Sequence, residues 1–115
     1  MKPCFCLLSI VLLTSADAQA LSGTDLYKIC NAEPKGGTES ISCIAYIRGL
    51  VDGLFMADHM ASSGLRYCPP ESLSADQAVL IVQKHFREHP EQLNREAGAV
   101  AALALYGAFD CKNSN

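Results

Sequence analysis

The chain has 115 residues, with nine Lys and Arg against twelve Asp and Glu and a formal net charge of −3 at pH 7. An acidic balance with no basic run excludes a role built on phosphate contacts, so no nucleic acid is expected as a partner. A chain this short forms one domain with a modest core, and an exported version of it is expected to carry covalent staples, for which six cysteines are present.

Residues 1–20 read as a signal peptide. Lys2 supplies the positive start, Phe5 to Leu13 the apolar stretch, and Ala18-Gln19-Ala20 a small-x-small cleavage site. The apolar stretch is too short to span a bilayer and no cysteine follows the cut, so no membrane anchor is expected. Cys4 and Cys6 would leave with the signal, and the mature domain would comprise residues 21–115.

Leu21 to Asn31 predicts a first helix, with Ser22 and Thr24 as alternative caps and Leu26, Tyr27 and Ile29 as its apolar residues; Glu33-Pro-Lys-Gly-Gly37 ends it. The second helix is the longest, from a cap at Thr38 through Cys43 to Ala61. Ile44, Ile47, Val51, Leu54 and Phe55 recur at helical spacing, and Arg48, Asp52 and His59 gather on another face. Ala45, Gly49, Gly53 and Ala57 add a stripe of small residues. Each Gly costs roughly 1 kcal/mol of helix propensity relative to Ala, so close approach of another helix, within the bundle or across a homodimer, is the expected compensation. Arg48, Asp52, Asp58 and His59 argue against a membrane span.

Ser62 to Pro70 is a connection closed by two prolines. A third helix then begins at Ser74, which with Gln77 makes a capping box; Leu73 and Ala78 stand at staple positions, and Ala78, Val79, Val82 and Phe86 mark the buried face before Pro90 stops it. Asn94 is the expected cap of a last helix whose Ala97, Val100, Ala101, Ala104 and Ala108 form a small-residue face, flanked by Leu103, Leu105, Tyr106 and Phe109. Cys111 and a polar tail follow. With no alternating strand pattern, the fold class is all-α, a small four-helix bundle stapled by two disulfides.

Helix geometry decides how the four remaining cysteines pair. About twenty helical residues at 1.5 Å each hold Cys43 and Cys68 roughly 30 Å apart, and the five residues after Ser63 can return at most about 17 Å. A Cys43–Cys68 bond is therefore incompatible with an intact second helix. Of the two remaining schemes, Cys30–Cys43 with Cys68–Cys111 is preferred, because its first bridge is local and its second ties the entrance of helix three to the chain end.

Two arrangements carry a trace of chemistry. His85-Phe-Arg-Glu-His89 has the H-x-x-E-H form of one class of zinc peptidase, but Pro90 ends the helix at once and few residues remain to build a cleft; cationic side chains in a last helical turn account for the pattern. Asp52 and His59 lie two turns apart on one face, with no nucleophile placed beside them. The expectation is a binding protein, not an enzyme, with no cofactor and no metal.

The order of features sharpens this. Cys30, then Cys43-x-x-Tyr46-x-x-Gly49-x-x-Asp52, then Tyr67-Cys68-Pro69-Pro70, then His89-Pro90-Glu91 and a terminal Phe109-Asp110-Cys111 resembles the Rap/Tai family of periplasmic immunity proteins over essentially the whole mature chain. The resemblance implies an all-helical, often dimeric protein of the periplasm. It implies that a secreted peptidoglycan amidase delivered by type VI secretion is neutralised by occlusion of its active site. The cysteines, Tyr46, Gly49 and Asp52 match as scaffold positions. Candidate contacts with the toxin come from the two loops, Glu33, Lys35 and Glu39 in one and Arg66, Tyr67 and Glu71 in the other. A periplasmic acid-stress chaperone, or a structural interaction module without a toxin, is the alternative.

Overall fold

A computed structural model describes residues 19–60 and 66–113. The expected signal peptide lies outside the described residues apart from Gln19 and Ala20, as do Ala61 and the first four residues of the Ser62–Pro70 connection. Among the described residues there are four α-helices: α1 (Gly23–Cys30), α2 (Thr38–Met60), α3 (Ala75–Glu88) and α4 (Ala97–Ala108). Short 3-10 turns lie at Pro90–Gln92 and Cys111–Asn113.

Local chemistry explains most of these boundaries. The Ser22 hydroxyl oxygen accepts from the Asp25 backbone N–H at 3.1 Å and so caps α1. At the other end the Asn31 side-chain amide donates to the Tyr27 carbonyl at 2.7 Å. The capping box of α3 is complete: the Gln77 backbone N–H donates to Ser74 Oγ and the Ser74 N–H to Gln77 Oε1, each at 3.1 Å. Two expected caps are displaced. Thr38 is already helical, and the Gly37 carbonyl receives the first α2 bond, from the Ile41 N–H at 2.9 Å. Asn94 is absorbed in the tight turn after Pro90, so Glu96 stands at the cap of α4 without a side-chain bond, while the Ala97 N–H donates to the distant carbonyl of Leu21 at 2.8 Å.

The helices surround one core whose largest fully buried side chains are Phe86, Leu26, Ile47, Leu105, Val82 and Val100. The small-residue face of α4 lies inside it, with Ala97, Val100, Ala101 and Ala104 buried, although Ala108 is exposed. Tyr27 meets the edge of Phe86 with ring centroids 6.2 Å apart. Gln83, a polar residue at a core position, is buried because its amide donates to the Cys30 carbonyl at 2.8 Å and to Asn31 Oδ1 at 3.2 Å, joining α3 to the end of α1.

Both termini of the domain are tied down. The Gly23 N–H donates to the Arg95 carbonyl and the Thr24 N–H to the Leu93 carbonyl, each at 2.8 Å. Glycine is needed at position 23: a Cβ there would stand 2.9 Å from the Leu93 oxygen and 3.1 Å from a Phe86 ring carbon. At the other end the Cys68 N–H donates to the Phe109 carbonyl at 2.9 Å. The two disulfides form in the preferred scheme, Cys30 with Cys43 and Cys68 with Cys111, with Cα atoms 5.0 and 4.9 Å apart.

Of the two packings expected for the small-residue stripe of α2, the described residues do not supply the one within the bundle. Ala45, Gly49, Gly53 and Ala57 are all exposed, and a Cβ built on Gly49 or Gly53 meets nothing within 4 Å, so no helix among the described residues covers them. The reason is the opposite face: Ser40, Cys43, Ile47 and Leu54 turn into the core and leave the stripe pointing outward. Phe55, expected among the core residues, is 49% exposed for the same reason.

Candidate functional site

The segment between α1 and α2 is the most constrained exposed loop. Cys30 and Cys43 are buried and bonded on either side of it, while Glu33, Pro34, Lys35, Gly36 and Glu39 are exposed. Inside this frame the Gly37 N–H donates to the Pro34 carbonyl at 3.0 Å, closing a four-residue turn. Its third residue, Gly36, has φ +86°, the left-handed conformation that a type II turn requires there and that glycine adopts without strain. The Glu33–Pro34 peptide is cis. The Lys35 N–H donates to a Glu33 carboxylate oxygen at 3.0 Å, and Lys35 Nζ reaches back to the carbonyls of Cys30 and Ala32 at 3.4 and 3.5 Å. The Lys35–Glu33 ion pair, at 3.6 Å, is open to solvent and contributes little to stability. Glu33 and Lys35 therefore stand on a shaped, solvent-facing loop, and Glu39 follows it in the first turn of α2.

Beside the loop lies a groove of about 200 Å³ between α2 and α3, lined by Ile44, Val79 and Leu80 with Lys35 and Asp76 among its polar residues. Leu80 and Ile41 are 61% and 57% exposed. This pairing of a projecting polar loop with an apolar recess was not read from the sequence, because Leu80 falls on the outer side of a helix whose periodicity identifies only its inner one.

The second candidate loop is assembled differently. Arg66 and Glu71 are exposed, but Tyr67 is not available to a partner: it is 4% exposed and packs edge-on against Tyr106 and Phe109 at centroid distances of 5.5 and 6.2 Å. Burial, and then the neighbouring Tyr106, push its phenol pKa above the ordinary value of 10.0. The Tyr67 N–H donates to Asp58 Oδ1 at 3.2 Å, fastening the segment to α2. Aromatic residues in loops are good partner contacts, but this one, next to the Cys68–Cys111 bridge, packs inward on α4.

Neither trace of chemistry converges on a reacting centre. The His85 and His89 rings lie 4.4 Å apart, but His85 Nε2 is 3.1 Å from Gln92 Oε1 and His89 Nδ1 is 3.2 Å from Glu91 Oε1. Glu91 itself is held below the usual carboxylate pKa, first by a backbone hydrogen bond and then by His89. No group of three or more His, Cys, Asp or Glu able to hold a metal is found among the described residues. His59 turns its Nδ1 to the Phe55 carbonyl at 3.0 Å, within its own helix.

Comparison with protein families decides the relationship. The family of Rap1a immunity proteins matches residues 22–111, the whole span from the cap of α1 to the last disulfide. The chain belongs to the Rap1a immunity protein family. Comparison with curated proteins and with solved structures gives no match. As a Rap1a family member the protein is an immunity protein, whose role is to bind a toxin, and the stapled loop and its groove are candidate contact surfaces on that scaffold.

Proposed function

We propose that this Rap1a family member neutralises a peptidoglycan amidase delivered by type VI secretion, by seating the Glu33–Glu39 loop in the enzyme's active-site cleft. The observation that carries the reading is the exposed turn closed between two buried, bonded cysteines. A cleft-filling inhibitor gains affinity when its inserted segment is ordered before binding, since little conformational freedom is then lost. Such bridges need an oxidising compartment, here the periplasm, to which residues 1–20 direct export before they are cleaved. A homodimer belongs to the same proposal. The protein acts by occupancy and is not an enzyme; its net charge of −3 favours encounter with a basic toxin surface, an effect that weakens with salt.

The test is co-expression, in the periplasm, of the exported protein with a panel of small secreted peptidoglycan amidases, including the product of any such gene found beside this one. Protection from lysis is expected, together with a stable complex. Reversing the loop charges by Glu33→Lys and Glu39→Lys should abolish protection while leaving the circular dichroism spectrum unchanged. If the amidase stays fully lytic and no complex forms, while the protein suppresses aggregation of unrelated clients at low pH, the chaperone alternative replaces this reading.

A further inference from the structure

The two disulfides differ in what can reach them. Cys30 and Cys43 are both buried, whereas Cys68 is exposed and Cys111, just past α4, is half-buried. Exchange requires a thiolate to approach a sulfur directly, so access decides which bridge a protein dithiol opens first. The outer bond also fastens one short segment to the end of α4. Tyr67 pairs with Asp110 in an antiparallel bridge, the Cys68 N–H donates to the Phe109 carbonyl at 2.9 Å, and the Tyr67 ring packs on Tyr106 and Phe109. That seat carries a cost. Among the described residues, Tyr67 Oη is the one buried side-chain oxygen or nitrogen without a hydrogen-bond partner. A phenol buried in this way gives up water and gains no bond in return, so solvent draws the ring outward. The bond from the adjacent Cys68 to Cys111 opposes that pull.

We propose that Cys68–Cys111 is an exchange site for a thioredoxin-like dithiol, and that opening it releases Tyr67 to solvent while Cys30–Cys43 stays closed. The attacking thiolate bonds to Cys68 Sγ, the more exposed end, as the bond to Cys111 breaks; Cys111 leaves as a thiolate and takes up a proton. The second thiolate of the exchanger then attacks its own half of the mixed disulfide, and Cys68 leaves and is protonated in turn. This chain thereby gains two electrons and two protons, and the dithiol becomes a disulfide. The inner bridge and the caps of α1 and α3 lie elsewhere in the fold, so the four helices persist. What changes is the surface: Arg66 and Glu71 are exposed already, and release of Tyr67 sets an aromatic side chain between a cation and a carboxylate. The proposal stands on the Tyr67–Cys68 segment and is independent of which toxin the protein binds.

Partial reduction of the exported, disulfide-bonded protein tests it. With dithiothreitol in native buffer, followed by iodoacetamide and peptide mapping, Cys68 and Cys111 should be alkylated at least about tenfold faster than Cys30 and Cys43. A thioredoxin whose second active-site cysteine is replaced by serine should be trapped as a mixed disulfide on Cys68. In the partly reduced protein, amide hydrogen exchange at Tyr67 and Cys68 should accelerate while the far-ultraviolet circular dichroism is retained. Tyr67→Phe removes the unbonded hydroxyl, so after the same reduction its segment should exchange at least about fivefold more slowly than that of the wild type. Both bridges opening together with loss of helix overturns the proposal, as does failure to trap thioredoxin on Cys68. So does an opened outer bridge that leaves the Tyr67 and Cys68 amides as protected as before, or a Tyr67→Phe segment that exchanges as fast as the wild type.

Discussion

Removing the disulfides one at a time separates what a covalent staple contributes from what a buried sulfur contributes. The Cys30–Cys43 bridge closes a loop of 13 residues and Cys68–Cys111 one of 43. On the loop-entropy relation these lengths correspond to roughly 3 and 4 kcal/mol. The sites differ in burial: Cys30 and Cys43 are 4% and 1% exposed, whereas Cys68 lies at the surface. Replacing the first pair by alanine therefore also leaves a small void in the core, adding about 1 kcal/mol, so the two alanine double variants should lose similar amounts for different reasons. Serine tells them apart. Cys30→Ser with Cys43→Ser buries two hydroxyls and should cost a further 1 to 3 kcal/mol or so beyond alanine, while Cys68→Ser with Cys111→Ser should match its alanine counterpart closely. Urea unfolding of the four double variants, with the slopes checked for two-state behaviour, measures all of this. Equal stability of the serine and alanine variants of the inner pair would refute the burial argument, and a loss under about 1 kcal/mol at the outer pair would refute the entropic one.

Three further outcomes follow from the packing. Gly23→Ala should destabilise by about 1 to 3 kcal/mol, because the backbone of Leu93 and the ring of Phe86 must give way, outweighing the gain of roughly 1 kcal/mol in helix propensity; a raised thermal midpoint would contradict it. Gln83→Leu leaves the Cys30 carbonyl, among the described residues, with the Lys35 ammonium at 3.4 Å and should cost about 1 kcal/mol by chemical denaturation. Burial raises the pKa of Tyr67 and of Tyr46, the latter with help from the Glu96 charge, so both favour the neutral phenol in the folded state. Their contribution is present below pH 10 and lost as pH climbs through the folded values; the phenolate absorbance of Tyr46 and Tyr67, isolated by Tyr→Phe difference spectra, should rise late with unfolding alongside, and its appearance at the free value would sink the assignment.

What the sequence revealed of this fold follows from the range over which each signal acts. The capping box at Ser74, the inner face of α3 and the stop at Pro90 are local, and each stands where the residues place it. The disulfide pairing was legible because helix length, a rigid ruler, excludes Cys43–Cys68, and the short span from Cys30 to Cys43 favours one of the two schemes left. The start of α4 was not, since its cap is the carbonyl of Leu21 from the far end of the domain. Gln83 reads as a surface residue until the carbonyl of Cys30 is brought to it from another helix. Of the candidate site, the loop was legible through its glycines and flanking cysteines; the groove beside it needs the packing of α2 against α3. The small-residue stripe was visible as a pattern, but periodicity does not say which of two apolar faces the bundle takes.

The seating of α1 sets an order on how the chain matures. Thr24 bonds to Leu93 through both its backbone and its hydroxyl, across 69 positions, and Gly23 bonds to Arg95. As the chain emerges from its N-terminal end, Cys30 and Cys43 are both present early and can be oxidised together. The anchor for α1 arrives some fifty residues later, and Cys111, which Cys68 needs, comes almost last. Throughout that interval Cys68 waits as a thiol, and a chain cut short before residue 111 has its local clasp but neither its closing bond nor, if it ends before residue 93, a place for its first helix to rest.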